Sequence, residues 1–186
     1  WEGVIIPLDA FGPLPQNKVK ELLLIFPNEK NTTLYLDDLR FSVKALRRDD
    51  SENPQPKNTV LFSFNGKTDN SLGAPLLTFA EGTATVSITT TFRGALSAND
   101  PCCEVHYKNT SDAHCGLVSS LKTGDTYFNA EDFSAISFQV RGDPGTILEL
   151  YLVDKNGETA TDGQLASTFK KITVRNISGQ WQWVTI

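Results

Sequence analysis

Thr146-Ile147-Leu148-Glu149-Leu150-Tyr151-Leu152-Val153-Asp154 is the stretch of this chain that decides its fold. Leucines occupy every second position at its centre, and this spacing is the period of a β-strand, not of a helix. Asn156-Gly157 follows, the dipeptide that most strongly favours a tight turn between two strands. The stretch therefore predicts a strand with one buried face, continued by a hairpin.

The same alternation recurs along most of the chain. Short segments rich in Gly, Asn, Asp and Pro separate the alternating runs, and no comparable segment shows helical spacing. About ten strands in a domain of this size predict an all-β fold, a β-sandwich of the jelly-roll type with antiparallel sheets. The other alternating runs are 34–43, 83–91, 135–141 and 168–175.

Composition limits the class of protein. The 186 residues are 39% hydrophobic, which is enough for one core and leaves no room for two large domains. The net charge of −5 argues against nucleic acid as a partner. The longest apolar run, 22–26, is too short for membrane insertion. The lack of methionine favours a mature or excised segment.

The end of the chain resembles its beginning. Trp1-Glu2-Gly3-Val4-Ile5-Ile6 and Trp181-Gln182-Trp183-Val184-Thr185-Ile186 agree at three of six positions, at an offset of 181 − 1 = 180 residues. The alternative interpretation is two ordinary strands that each contain Trp. If the two segments are the same strand of one fold, the chain carries one repeat plus a short overlap.

A charged, proline-rich segment divides the chain. Residues 47–58 contain no apolar side chain except proline, and this composition predicts an extended linker. The piece 1–46 holds about three strands, too few to fold alone. We therefore expect these strands to complete the jelly roll of 59–186, in the same chain or in a neighbouring copy. We favour the neighbouring copy, because donation that does not close produces a filament.

Several motifs resemble a known family. The order W-x-x-V-x-I-P-L, then L-Y-L-D-D-L-R-F at 34–41, resembles the end of a galactose-binding-like jelly roll. The segments 61–66, 133–143 and 150–157 resemble its first strand, central strand and following hairpin, so the motifs occur in permuted order. Such domains are common as non-catalytic carbohydrate-binding modules of secreted glycoside hydrolases.

This resemblance implies two kinds of site. In the family, residues of the last and first strands often hold a structural calcium ion, and the matching positions here are Asp37, Asp38, Ser63 and Asn65. Sugar binding needs exposed aromatic rings with polar neighbours. Trp181 and Trp183 are expected on one strand face, available for a glycan or for the next subunit. The remaining aromatic candidates are Tyr107, Tyr127 and Tyr151.

Cysteines and glycosylation sequons point outside the cell. We expect a disulfide from Cys115 to Cys102 or Cys103, with one thiol left free or bonded to another chain. The alternative is three reduced cysteines. Sequons start at Asn31, Asn109 and Asn176.

No combination of side chains predicts catalysis. The nucleophile elbow, the phosphate loop and zinc-ligand spacings are all missing from the sequence. We therefore expect a non-catalytic extracellular structural subunit that assembles head to tail with copies of itself. The alternative is a carbohydrate-binding module of a secreted multidomain glycoside hydrolase, with a glycan as its partner.

Overall fold

The structure is a computed structural model of the chain. It describes residues 4–5, 18–42, 59–92, 95, 99–111, 113–121, 123–131, 133, 135–154 and 171–185. Strands dominate this part of the chain, and no α-helix occurs in it. The strands are β1 (Val4–Ile5), β2 (Val19–Ile25), β3 (Asn31–Ser42), β4 (Thr59–Phe62), β5 (Leu76–Ala80), β6 (Thr85–Thr91), β7 (Cys102–Lys108), β8 (Cys115–Ser120), β9 (Ala135–Gly142), β10 (Leu148–Asp154), β11 (Lys171–Val174) and β12 (Gln182–Thr185).

Two sheets pack face to face as a sandwich. The larger sheet has seven strands in the order β1-β12-β9-β3-β7-β6, with β4 also paired to β3. The smaller sheet has five strands in the order β11-β10-β2-β8-β5. Every pairing is antiparallel except that of β1 with β12. The all-β sandwich predicted from the sequence is confirmed.

Apolar side chains at alternate positions of the strands form the core. Leu148, Leu150 and Leu152 of β10 are buried in the same core cluster as Phe138 and Val140 of β9. Burying one such side chain contributes about 1.5–3 kcal/mol. The alternating pattern in the sequence is therefore the main source of stability as well as the signal for the strands.

The β2–β3 pair occupies the centre of both sheets. β2 lies between β10 and β8, and β3 lies between β9 and β7. Without these strands, each sheet would separate into two parts with unpaired edges, and the core would be open to water. Here the pair lies in the sheets of its own chain.

β1 repeats β12 in space as well as in sequence. Val4 pairs with Val184 and Ile5 with Thr185, in parallel. Each residue of β1 is thus aligned with the residue 184 − 4 = 180 positions later, the offset of the sequence repeat. β12 fills the place beside β9, and β1 lies beyond it at the edge of the sheet.

A β-bulge interrupts β3 at its two aspartates. Asp37 pairs with Gln139 and Arg40 with Ser137, so two residues of β3 oppose a single residue of β9. Asp38 adopts a φ of 54°, which a short polar side chain tolerates better than a branched one. At the same place the partner on the other edge of β3 changes from β7 to β4.

The predicted disulfide is wrong. Cys102, Cys103 and Cys115 are all free and buried. Cys103 lies on β7 of the larger sheet and Cys115 on β8 of the smaller one, and both side chains belong to the core. Facing sheets pack about 10 Å apart, whereas a disulfide requires Cα atoms within about 7 Å. The sequence could not show that the chain crosses from one sheet to the other between these cysteines.

Candidate functional site

Four side chains form a row across the outer surface of the larger sheet, which we call the sheet-face row: Trp181, Arg141, Tyr35 and Glu104. Arg141 pairs with Tyr35, and Tyr35 pairs with Glu104 on the next strand. The Arg141 guanidinium carbon lies 4.6 Å from the centre of the Tyr35 ring and 5.9 Å from the Trp181 ring. The row therefore alternates aromatic and charged groups from Trp181, just before β12, across β9, β3 and β7.

Hydrogen bonds hold one end of the sheet-face row in place. The Tyr35 hydroxyl donates to Glu104 Oε1 at 3.2 Å, and His106 Nε2 lies 3.2 Å from the same oxygen. The other ring nitrogen of His106 is 2.8 Å from the Thr33 hydroxyl. Glu104 is buried, so these contacts compensate for the water that its carboxylate loses on folding. The arrangement is a fixed polar network.

The two tryptophans are only partly available to a ligand. Trp183 has the guanidinium of Arg40 over its ring at 4.9 Å, and Trp181 has Arg141 nearby. Each guanidinium therefore occupies one face of an aromatic ring. Contact of a sugar or a neighbouring subunit with these two rings stays a prediction.

The other predicted aromatic residues lie elsewhere. Tyr107 is in the core and stacks on Phe26 with ring centres 4.5 Å apart. Tyr151 is on the outer surface of the smaller sheet, where its hydroxyl donates to Glu149 Oε2 at 2.9 Å. Tyr127 is half-buried in the segment that follows β8. These three tyrosines do not join the tryptophans in one surface.

The bulge of β3 brings the predicted calcium ligands to one junction of strands. Asp37 directly precedes the bulge and Asp38 forms it together with Leu39, whereas Ser63 and Asn65 are exposed just after β4, the strand that pairs with β3 there. Burial, together with the negative charge of Asp100, raises the pKa of Asp37 to about 7 although the positive charge of Arg40 opposes the rise.

This junction is a poor match for calcium. Asp38 forms an ion pair with Arg40, and Asp37 holds its proton up to about pH 7. Calcium takes six to eight oxygen ligands, and carboxylates supply most of its affinity. Within the described ranges, no group of three or more His, Cys, Asp or Glu side chains is placed to hold a metal. Calcium here stays a prediction, and it requires the ion to displace Arg40 and ionise Asp37.

An open pocket of about 520 Å³ lies beside this junction. We call it the end pocket. Phe92, at the end of β6, forms one wall and is 61% exposed. Asn65 and Asp100 contribute polar side chains from two loops, and Thr90 contributes a hydroxyl from β6. The pocket thus combines an exposed aromatic ring with hydrogen-bonding groups.

The loop that carries Asn65 has an unusual backbone. Phe64 adopts a φ of 51° although it is not glycine, and its ring is buried against Phe62 at 5.5 Å. Gly66 has a φ of 76°, and its N–H donates to the Phe64 carbonyl at 2.6 Å. A positive φ at a bulky residue is strained and persists only where the surroundings impose it. Asn65 is therefore held between two fixed neighbours.

The smaller sheet presents a different outer surface. Leu77, Val118, Leu23 and Tyr151 are neighbours on four adjacent strands. Leu77 is 55% exposed, and Val118 and Leu23 are half-buried. We call this set the apolar row. The row is a strip of apolar side chains on the outside of the sandwich, and Leu77 is its exposed end.

The sequons differ in accessibility. Asn31 and Asn176 are exposed. Asn109 is buried, and its amide nitrogen donates to the Phe26 carbonyl at 2.8 Å. A glycan attached to that nitrogen would break this hydrogen bond, whereas the exposed Asn31 and Asn176 have no such obstacle. Glycosylation stays a prediction at all three sequons.

Sequence reasoning missed Phe92, Asp100, Arg141, Glu104 and Gln139. Gln139 is the most unusual of these, because its side-chain oxygen is buried and has no hydrogen-bond partner among the residues that the structure describes. Arg141 and Glu104 lie within alternating strands, and only the register between strands shows that both lie beside Tyr35. Phe92 follows a run of threonines, and an apolar residue at the end of a strand signals nothing specific in sequence.

Comparison with models of protein families, with curated proteins and with solved structures found no match to this chain. Within the described ranges, no helix is long and apolar enough to cross a membrane.

Proposed function

We propose that this chain is a non-catalytic structural module of an extracellular fibre, in which copies join head to tail by exchanging strands. The β2–β3 pair of one copy fills the central positions in both sheets of the next. The observation that carries this proposal is the in-register pairing of β1 with β12. Two copies of one strand compete for the place beside β9, and the surplus copy marks where one repeat joins another.

Strand exchange conserves the contacts of the fold. The β2–β3 pair makes the same hydrogen bonds to β7, β8, β9 and β10 whether it belongs to the same chain or to a neighbour. Sixteen residues, 43–58, connect β3 to β4. A chain of this length reaches roughly 50 Å when extended. This length allows the β2–β3 pair to enter either its own chain or a neighbouring one. Donation of the pair to a neighbour therefore costs little enthalpy. An open series of such donations gives a filament.

Two surface features are consistent with a fibre outside the cell. The apolar row gives each module a face that gains by contact with another copy. Asn31 and Asn176 are exposed for glycosylation. The resemblance to galactose-binding-like modules of secreted proteins supports the same location.

A pair of engineered cysteines distinguishes the two arrangements. Thr33 on β3 and His106 on β7 are paired residues whose side chains touch at 2.8 Å. In a Thr33→Cys/His106→Cys variant, strand exchange gives disulfides between chains. We expect a ladder of cross-linked species on non-reducing gels after assembly at high protein concentration.

The matched control places both cysteines in the piece that does not move. Ser87 on β6 also pairs with His106. A Ser87→Cys/His106→Cys variant should cross-link only within one chain at every concentration. If the Thr33→Cys/His106→Cys variant also gives only cross-linked monomers, the β2–β3 pair closes on its own chain and the fibre proposal is wrong.

Glycan binding is the second candidate function. Its support is the end pocket, where an exposed aromatic ring stands beside amide, hydroxyl and carboxylate groups. This combination is typical of sites that recognise small polar molecules. A glycan array probed with the purified chain tests this function independently of assembly.

A further inference from the structure

We infer that the end pocket binds a single pyranose unit, with the apolar face of the sugar on Phe92 and its hydroxyls on Asn65, Thr90 and Asp100. This inference rests on the second candidate function and assigns its site. It places the sugar at the end of the sandwich, where β6 ends, and not on the tryptophans of the larger sheet.

The aromatic wall sets the first requirement for the ligand. Phe92 is one of the most exposed large apolar side chains among the described residues, at 61%. Within the described part of the chain, no ring pair or cation–π contact involves it. Its ring is thus available for an apolar ligand surface, in contrast to Trp181 and Trp183. The C–H groups on one face of a pyranose ring provide such a surface.

The polar walls set the second requirement. The side-chain amide of Asn65 both donates and accepts, the Thr90 hydroxyl does the same, and the Asp100 carboxylate accepts. A cation such as an ammonium group only donates, so it would leave the donors of Asn65 and Thr90 unmatched. Sugar hydroxyls donate and accept at once, and they match all three groups. A neutral saccharide therefore fits better than a cationic side chain.

The pocket is also prearranged for binding. Asn65 lies between Phe64 and Gly66, two residues with positive φ, and the buried ring of Phe64 anchors this loop in the core. Space is open above Gly66, where an added Cβ would meet no atom within 4 Å. A ligand can approach the backbone closely there, and little ordering of Asn65 remains to be done on binding.

The test is a titration of the full chain with methyl glycosides of galactose, glucose and mannose, and with N-acetylglucosamine, followed by NMR. We expect at least one of these sugars to give saturable shifts of the Asn65 and Thr90 resonances. Phe92→Ala should weaken binding at least tenfold, and Asp100→Asn should weaken it measurably. Leu77→Ala removes a similarly exposed side chain from the other sheet and should leave binding unchanged.

Two results would overturn the inference in different ways. In the first, Phe92→Ala binds a sugar as well as the wild-type chain does, whereas Trp183→Ala has lost the binding. The ligand then lies on the outer face of the larger sheet, so the end pocket is not the site, but glycan binding itself still stands. If no sugar shifts any resonance, and the glycan array is also negative, the second candidate function fails together with its site.

Discussion

Asp37 brings a carboxyl group into a buried position on the bulge of β3. The nearby positive charge does not compensate for burial: Arg40 favours the ionised form, but desolvation and the charge of Asp100 outweigh it, and the pKa rises to about 7. The ordinary value for an aspartate is 3.8. Asp38, its neighbour, forms an ion pair with Arg40. Adjacent aspartates of one strand thus have different environments because of the bulge.

This difference predicts a pH dependence of stability. Between about pH 4 and pH 7 the folded chain keeps the Asp37 proton that the unfolded chain has lost. Unfolding therefore releases a proton, and stability falls as the pH rises through this range. Asp37→Asn stays neutral at every pH, so its stability should exceed that of the wild type at pH 8 and approach it at pH 4. Urea unfolding of both chains across this range measures the difference. Parallel curves would show that Asp37 is not the responsible group.

Gly116 of β8 illustrates a second effect at the scale of one residue. An added Cβ would lie 2.3 Å from the Leu24 carbonyl oxygen and 2.8 Å from the Phe79 ring. Because the oxygen belongs to the backbone of a central strand, it cannot move freely. Gly116→Ala should lower the free energy of unfolding by about 1–3 kcal/mol.

Gly179 provides the control for Gly116. It lies in an exposed bend, and a Cβ added there would meet no atom within 4 Å. Gly179→Ala should change stability by less than about 0.5 kcal/mol. Equal effects of the two substitutions on thermal unfolding would mean that crowding between β8 and β2 is not what requires glycine.

At the scale of strands, the central and edge positions have unequal importance. β3 pairs along most of its length with strands on both sides, whereas β1 contributes two residues at the edge. Proline removes one backbone donor and is tolerated in sheets only at edges or bulges. We expect Leu36→Pro in β3 to abolish cooperative unfolding. Ile5→Pro in β1 should change stability by less than about 1 kcal/mol.

Circular dichroism during thermal unfolding separates these two variants. An Ile5→Pro chain that unfolds as readily as Leu36→Pro would show that β1 stabilises the sandwich and is not a surplus strand. A folded Leu36→Pro chain would contradict the central role of the β2–β3 pair.

The positions of the strands could be predicted from the sequence, but the strands with which they pair could not always be predicted. The stretch around Leu150 and the segment 135–141 are strands as predicted. The turn at Asn156-Gly157 falls outside the described residues, yet β10 pairs with β11 in a register that joins Tyr151 to Lys171. A two-residue turn at 156–157 would join Tyr151 to residue 162. Local turn preference therefore did not identify the partner of β10, since pairing depends on contacts distant in sequence.

The candidate sites show the same limit. The four positions that the resemblance offers for calcium lie near one another, because Ser63 and Asn65 directly follow β4, the strand that pairs with β3 beside Asp37 and Asp38, but calcium binding there stays a prediction. The resemblance could not show that Arg40 binds Asp38, nor that Asp100 comes from a loop that is distant in sequence. Phe92 becomes notable only through its exposure, which no local pattern encodes.

At the scale of the whole molecule, the two sheets share one structural connection. β2 and β3 are joined by a short segment and pair centrally in different sheets, so neither sheet can lose this pair without the other. Cooperative units in proteins follow such shared elements. The sandwich should therefore open as one unit, not sheet by sheet.

The buried cysteines allow a direct measurement of this, because Cys102 and Cys103 lie in the larger sheet and Cys115 lies in the smaller one. Burial raises the pKa of Cys103 to about 12 and also raises that of Cys115, so both thiols are protected from alkylation in the folded chain. Pulses of N-ethylmaleimide at increasing urea, followed by mass spectrometry of the peptides, give an unfolding midpoint for each cysteine. We expect the two midpoints to coincide, since the β2–β3 pair must leave both sheets together. A lower midpoint for Cys115 would mean that the smaller sheet opens first, and the β2–β3 pair could then not act as the single element that passes from one copy to the next.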